Sequence, residues 1–188
     1  KVGPAVAADM AKGAIISVIL SLIAIFVYIL ARFRNVAFSI GSVLALTVDT
    51  LIIVGMYSIC WGWMPFSLEV DQTFIGAVLT AIGYSINDKV VVFDRIRENL
   101  GLYPKRETER LFNDSLNETL ARTIMTSATT LLVLLCIFFL GGDSIRSFAF
   151  AMILGVIFGT LSSIFLAAPI AFRTLGKKRV VEAAVAKA

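Results

Sequence analysis

The amino-acid sequence predicts an all-α polytopic membrane protein, a bundle of five transmembrane helices. Three observations carry this prediction. Of 188 residues 59% are hydrophobic and 16% are charged, with a mean hydropathy of +0.91, whereas a soluble domain usually carries about 25% charged residues. The excess of apolar residues is concentrated in long blocks. Five of these blocks, at 14–31, 36–62, 73–93, 123–140 and 148–172, approach or exceed the roughly 20 residues that a helix needs to cross a ~30 Å hydrocarbon core.

The first span, 14–31, ends at the basic loop RFRN (32–35). The second is long enough to tilt or to emerge into the interface. Its end, CWGWMPF (60–66), offers two tryptophans to the headgroup belt and then a proline that stops the helix. The third runs into the polar stretch DRIREN (94–99). A segment at 103–120 follows, with Pro104 suited to a helix start and Leu111, Phe112, Leu116 and Leu120 near one face. It predicts a short amphipathic helix lying along the membrane surface. The fourth and fifth spans follow, and 176–188 reads as a polar tail. Residues 1–175 thus form one transmembrane domain.

Lysine and arginine set the orientation. The loop at 32–35 carries two, the segment 94–121 five, and the tail from Arg173 five. The opposite side has only Lys1, Lys12 and Arg146. By the positive-inside rule the two loops and the tail are cytoplasmic, and the chain starts outside. That start predicts a piece of a longer protein with at least one helix upstream. The pI of 9.3 reflects this orientation rather than nucleic-acid binding, because no basic cluster is interleaved with aromatics on a soluble segment. Cys60 and Cys136 lie in apolar runs without CxxC spacing and read as small buried hydrophobes. There is no histidine, so a His-based metal site or proton relay is excluded. No nucleophile–base set, phosphate loop or metal cluster appears, which argues against an enzyme.

Asp88, in GYSINDKVVVFDRIREN (83–99), is the first candidate for chemistry. A carboxylate at a helix centre costs about 2.5–3.5 kcal/mol on insertion scales, so such groups face the protein interior or a water-filled path. Burial favours the neutral form and a nearby cation the charged one, so a change of surroundings lets the group take up and release a proton. Tyr84 and Ser85 share its face behind, and Val91, Val92 and Arg95 ahead. The plainer reading is a carboxylate near the cytoplasmic boundary that meets water, or pairs with Arg95 or Lys89. Arg122, Thr126 and Thr129, spaced i, i+4, i+7, run a polar stripe up the fourth span. Arg122 offers Asp88 a charge partner; the alternative is a snorkelling anchor, with threonines bonded to their own helix. Asp49 lies about twelve residues into its span with no basic residue near it in sequence. It reads as a second proton site or as a hydrogen-bond fastener. In the last span Ser147, Ala151, Gly155, Gly159, Ser163 and Ala167 recur every four residues, a small-residue stripe for close helix packing. Gly76 and Gly83 suggest the surface it faces.

KVGPAVAADM, AIGYSINDKVVVFDRIREN, RTIMTSATTLL and FLGGDSIRSFAFAMILGVIFGTLSSIF together resemble SecF, or the SecF half of a fused SecDF, in the RND-type superfamily. The resemblance covers residue 1 to about 175 and corresponds to the family from its second helix onward, without the first helix and the periplasmic domain. It implies an RND/SecF-type helical bundle in the bacterial inner membrane that uses the proton-motive force to assist protein export. Protons would be the coupling ion, with no other cofactor. The implied partners are SecD, separate or fused, the SecYEG translocon, exported preproteins and the lipid bilayer. Carried across, Asp88 matches the family's intramembrane aspartate, Arg122 the arginine implicated with it and Thr126 a threonine of that cluster, giving a relay of Asp88, Arg122 and Thr126 lined by Asn87 and Tyr84. Of Asp88's two possible charge partners, Lys89 and Arg122, this reading favours Arg122. Val48 stands where some relatives have a histidine before the counterpart of Asp49, and Lys89 where relatives often have a small hydroxyl residue. Two other functions are compatible with the helices: an RND-type small-molecule or lipid exporter, and an assembly scaffold that transports nothing.

Overall fold

Helices fill the described part of the chain because its long apolar runs contain few breakers. The computed structural model describes residues 4–66 and 68–185, and every regular element among them is helical. The elements are α1 (Pro4–Phe33), α2 (Val36–Cys60), α3 (Gln72–Leu102), α4 (Thr108–Leu140), α5 (Asp143–Ser162), a π-helical turn (Ser163–Ala167) and α6 (Ala168–Val185). Five stretches are long and apolar enough to cross a membrane, the last of them, Ile145–Gly176, running through α5, the π turn and the start of α6.

Polar residues at the helix ends account for the breaks. Asn35 accepts a hydrogen bond from the Ala37 amide at 3.0 Å and starts α2, directly after Arg34 turns the chain at a φ of +50°. Asp71 accepts from the Phe74 amide at 2.8 Å and starts α3. After Cys60 the chain leaves α2 through Gly62, whose φ of +84° suits a residue without Cβ. Trp63, at 91% exposure, projects from this turn. At the same end of the bundle Arg146 donates to the Phe138 and Gly141 carbonyls at the end of α4, at 3.0 and 3.2 Å.

The segment 103–120 is not a separate surface helix. From Thr108 it is the first part of α4 and continues into the fourth span without interruption. No glycine or proline stands between Thr108 and Leu140 to stop the helix. Its apolar face is covered by protein: Leu111 and Phe112 are buried in a cluster with Phe93, Ile96 and Ala171. The third helix likewise runs past position 93 to Leu102, so α3 and α4 form a helical hairpin extending beyond their apolar parts. Across it Asn99 donates to Ser115 Oγ at 2.9 Å and Arg95 pairs with Glu118 at 2.5 Å. The helical backbone of α6 carries on through Val185, so most of the expected tail is helix, and 186–188 lie outside the described residues.

Gly155 and Gly159 bring α5 onto α3. A Cβ at Gly155 would stand 2.4 Å from Ala81 Cβ, and one at Gly159 would stand 2.6 Å from Ser85 Oγ. The whole stripe from Ser147 to Ala167 is buried. Its facing surface is Ala81 and Ser85; nothing lies within 4 Å of a Cβ placed on Gly76 or Gly83. The π turn follows directly. Pro169 has no N–H to donate, and the turn is closed by Ala168 N–H bonding to the Ser163 carbonyl, five residues back. By contrast α1 is peripheral, with Ile15, Ile16, Leu20 and Ile23 more than half exposed.

The core is divided. One apolar cluster gathers Ile53, Tyr57, Phe74, Ala81, Ile82 and Val156; the other gathers Phe38, Val92, Phe93, Ile96, Ala167 and Ala171. Along α3 the residues between the clusters are 83–91, and along α5 and the π turn they include 159–163. Of the expected polar positions, Tyr84, Asn87 and Asp88 on α3 and Ser163 in the π turn fall along these stretches.

Candidate functional site

The gap between the apolar clusters is filled by a polar layer from α2, α3 and α5. Asp49, Ser85, Asp88, Lys89, Ser162 and Ser163 are all buried there, with Lys89 at 0% and Asp88 at 3% exposure. Ser85 and Lys89 stand four residues apart and therefore share a face of α3. Asp88, one position before Lys89, points to a different neighbour.

Lys89 makes the densest set of contacts in the layer. Its Nζ donates to Asp49 Oδ2 at 3.0 Å, Ser85 Oγ at 2.6 Å and Ser162 Oγ at 2.9 Å, with the Gly159 carbonyl at 3.5 Å. An ammonium has three protons, and the three shorter contacts use them. Both serine hydroxyls also reach the same carboxylate oxygen: Ser85 Oγ lies 2.9 Å and Ser162 Oγ 2.8 Å from Asp49 Oδ2, with the Gly159 carbonyl a second acceptor for Ser162 at 3.1 Å. Asp49 Oδ1 is buried with no hydrogen-bond partner among the described residues. The result is an ion pair wholly removed from solvent that ties α2, α3 and α5 together. Each partner's desolvation is offset by the other charge and by hydroxyl hydrogen bonds, the condition under which a buried pair persists.

Asp88 is placed otherwise. Its hydrogen-bond partner in the structure is Thr160 Oγ1, at 3.4 Å. Thr160 also lies 2.7 Å from the Val156 carbonyl and 2.6 Å from Ser127 Oγ, so Asp88 receives the longest of its three contacts. Among the described residues no ion pair joins Asp88 to a cation, neither Lys89 nor Arg122 nor Arg95. Arg95 is engaged with Glu98 and Glu118.

The other expected residues spread out from this point. Tyr84 OH donates to Thr130 Oγ1 at 3.2 Å and links α3 to α4. Asn87 is exposed. Arg122, Thr126 and Thr129 are exposed along one side of α4. Thr126 Oγ1 lies 3.1 Å from the Arg122 carbonyl and 3.0 Å from that of Thr123, and Thr129 bonds to the Met125 and Thr126 carbonyls. In this conformation no ion pair or hydrogen bond joins Asp88 and Arg122, although Arg122 is within electrostatic reach of Asp88. Three residues of the layer, Lys89, Ser162 and Thr160, went unassigned from sequence. Lys89 carried a usable signal: a lysine in mid-helix and an aspartate with no basic neighbour each need a buried counter-charge, and each is the other's simplest solution.

Comparison with known proteins places the chain in a family. Residues 1–177 match the C-terminal family of the protein export membrane proteins SecD and SecF. The chain is 53% identical over 169 residues to a protein translocase subunit SecF of Rhodothermus marinus, covering 90% of this chain and 54% of that protein. It is 42% identical over 171 residues to the SecF subunit of Haemophilus influenzae, covering 91% and 50%. The chain thus spans about half the length of these relatives. Two solved structures share its fold. One is SecDF in a form called super-membrane-facing, with a TM-score of 0.81 and 39% identity over 97% of this chain and 23% of the other. The other is a Thermus SecDF described as a translocon-associated membrane protein, with a TM-score of 0.81 and 41% identity over 93% and 23%. By sequence over nearly its full length, and by fold, the chain belongs to the SecD/SecF C-terminal family of protein export membrane proteins.

Proposed function

We propose that this chain is the membrane part of a SecF-type subunit that couples inward proton movement to protein export across the bacterial inner membrane. One observation supports the reading: the polar layer holds two buried carboxylates, and only one is ion-paired. Asp49 is compensated by Lys89, whereas Asp88 is held by one 3.4 Å hydrogen bond. Burying an ionised carboxylate without a partner is costly, and a proton removes the charge. Asp88 is accordingly the proton carrier.

Arg122 then acts in another stage of the cycle. Arg122, Thr126 and Thr129 form an exposed polar stripe within an apolar helix. Such a stripe is stable in a bilayer against a second protein bundle or a water-filled path. A SecD partner, separate or fused, supplies that bundle. When Asp88 gives up its proton, its negative charge draws Arg122 toward α3, and reprotonation releases it. The close seam between α3 and α5, built on Gly155 and Gly159, lets the helices shift as packed units. The basic ends of the helices face the cytoplasm, and the translocon and the exported preprotein lie on the working side of the cycle.

The test is Asp88→Asn in the full-length protein with SecD. Proton flux into proteoliposomes and the late stage of export are expected to fall at least about a hundredfold, the lower end of the loss expected when a proton-transferring group is removed. Unchanged values for both would overturn the assignment.

A further inference from the structure

The Lys89 ammonium sits in a set of ligands that resembles an ion site more than an ordinary salt bridge. Its neighbours are one carboxylate oxygen, two hydroxyl oxygens and one backbone carbonyl, drawn from three helices. These are hard oxygen donors, the type that binds hard cations. The hydroxyls suit a cation as well: each can turn a lone pair to Nζ while donating its proton away from it, Ser85 to Asp49 Oδ2 and Ser162 to Asp49 Oδ2 or the Gly159 carbonyl. The second carboxylate oxygen, Asp49 Oδ1, is buried and unpartnered among the described residues, leaving a further ligand that the tethered ammonium does not use.

We propose that Lys89 is the residue that fixes which ion this chain can couple to: its tethered ammonium fills an oxygen cage that would otherwise take a monovalent cation from solution. The word "couple" rests on the proton-driven reading above; the cage does not. With Lys89 in place the cage is electrically neutral, no free cation is needed for folding, and Asp88 is left as the carboxylate that responds to protons. With alanine in place of the lysine, the cage carries the single negative charge of Asp49, a full set of oxygen donors, and the space vacated by three methylenes and an ammonium. The N···O distances of 2.6–3.0 Å show that the three nearest donors already converge on an ion of ammonium size.

The experiment compares three forms of the full-length protein in detergent: wild type, Lys89→Ala, and the double variant Asp49→Asn with Lys89→Ala. Thermal unfolding is followed at constant ionic strength while choline chloride is replaced by sodium chloride or potassium chloride. Choline is too large for the cage and keeps screening constant. Binding to the folded state alone raises Tm with ion concentration. The expected result is a saturable rise of Tm with sodium or potassium in Lys89→Ala, absent from the wild type and from the double variant. A Lys89→Ala protein that folds only when one of these ions is present supports the cage equally. Three results overturn it: a Tm indifferent to the cation, an equal response in all three forms, or failure of Lys89→Ala to fold in every salt. A pair that merely fastens helices gives the first or the last of these. Failure of the proton-carrier reading shows separately, as unchanged flux in Asp88→Asn, and leaves the cation response of Lys89→Ala intact.

Discussion

Asp49 and Asp88 lie in one polar layer, and Lys89 forms an ion pair with Asp49 but not with Asp88. Removing one partner of a buried ion pair leaves the other charged and unpaired, at about 3–5 kcal/mol, while replacing both by apolar residues of similar size is often neutral or favourable. Lys89→Met is therefore expected to destabilise the folded protein by about 3–5 kcal/mol in solutions whose cations are too large to enter the cage. Asp49→Leu combined with Lys89→Met is expected to recover most of that loss. Denaturant titration of both variants in choline chloride checks the pattern. Equal losses in the single and double variants would show that Ser85 and Ser162 depend on the ion pair for their own satisfaction. At this scale Asp88 was legible from sequence, because a carboxylate before the end of an apolar helix has few explanations. The Lys89–Asp49 pair was not read. Its members are 40 residues apart in the chain, and the lysine's nearest acid in sequence, Asp88, drew attention away from the distant one.

The helices themselves were largely visible as apolar runs, but their ends were not. Polar residues at 94–121 signal departure from the bilayer, and a helix can leave the bilayer without ending. That is why α3 and α4 extend to Leu102 and back to Thr108, with Leu111 and Phe112 buried on protein rather than on lipid. The four-residue stripe on α5 was legible, yet its facing surface was not, since Ala81 and Ser85 look unremarkable beside the glycines at 76 and 83. The seam makes a paired prediction. Gly155→Leu forces a side chain into the 2.4 Å approach of Ala81 and is expected to cost about 1–3 kcal/mol or more by overpacking. Gly76→Ala meets nothing within 4 Å and is expected to be neutral or to stabilise by up to about 1 kcal/mol through helix propensity. Thermal unfolding of the two variants side by side measures the difference. A harmless Gly155→Leu would mean that α3 and α5 do not stay this close in the membrane.

For the whole molecule, the arrangement is an apolar bundle with one polar layer inside and one polar stripe outside. The inner layer is built from side chains of this chain, whereas the stripe of Arg122, Thr126 and Thr129 is exposed and, in the proposal above, meets another bundle. That division was not legible in one sequence, because a polar residue on a span reads the same whether it faces its own chain or a neighbour. The charge asymmetry also belongs at this scale. With Cys60 and Cys136 replaced by alanine, Trp63→Cys is expected to react with a membrane-impermeant maleimide added from the periplasmic side. Lys105→Cys is expected to react only from the cytoplasmic side; the reverse pattern would invert the topology and the direction of proton entry. The central claim remains that Asp88 binds the proton. Infrared difference spectroscopy of the full-length protein, taken across a pH step in lipid, reads carboxyl protonation directly. A protonated-carboxyl band that titrates in the wild type and is lost in Asp88→Asn is the predicted result. The same band, unchanged in Asp88→Asn, would contradict the account.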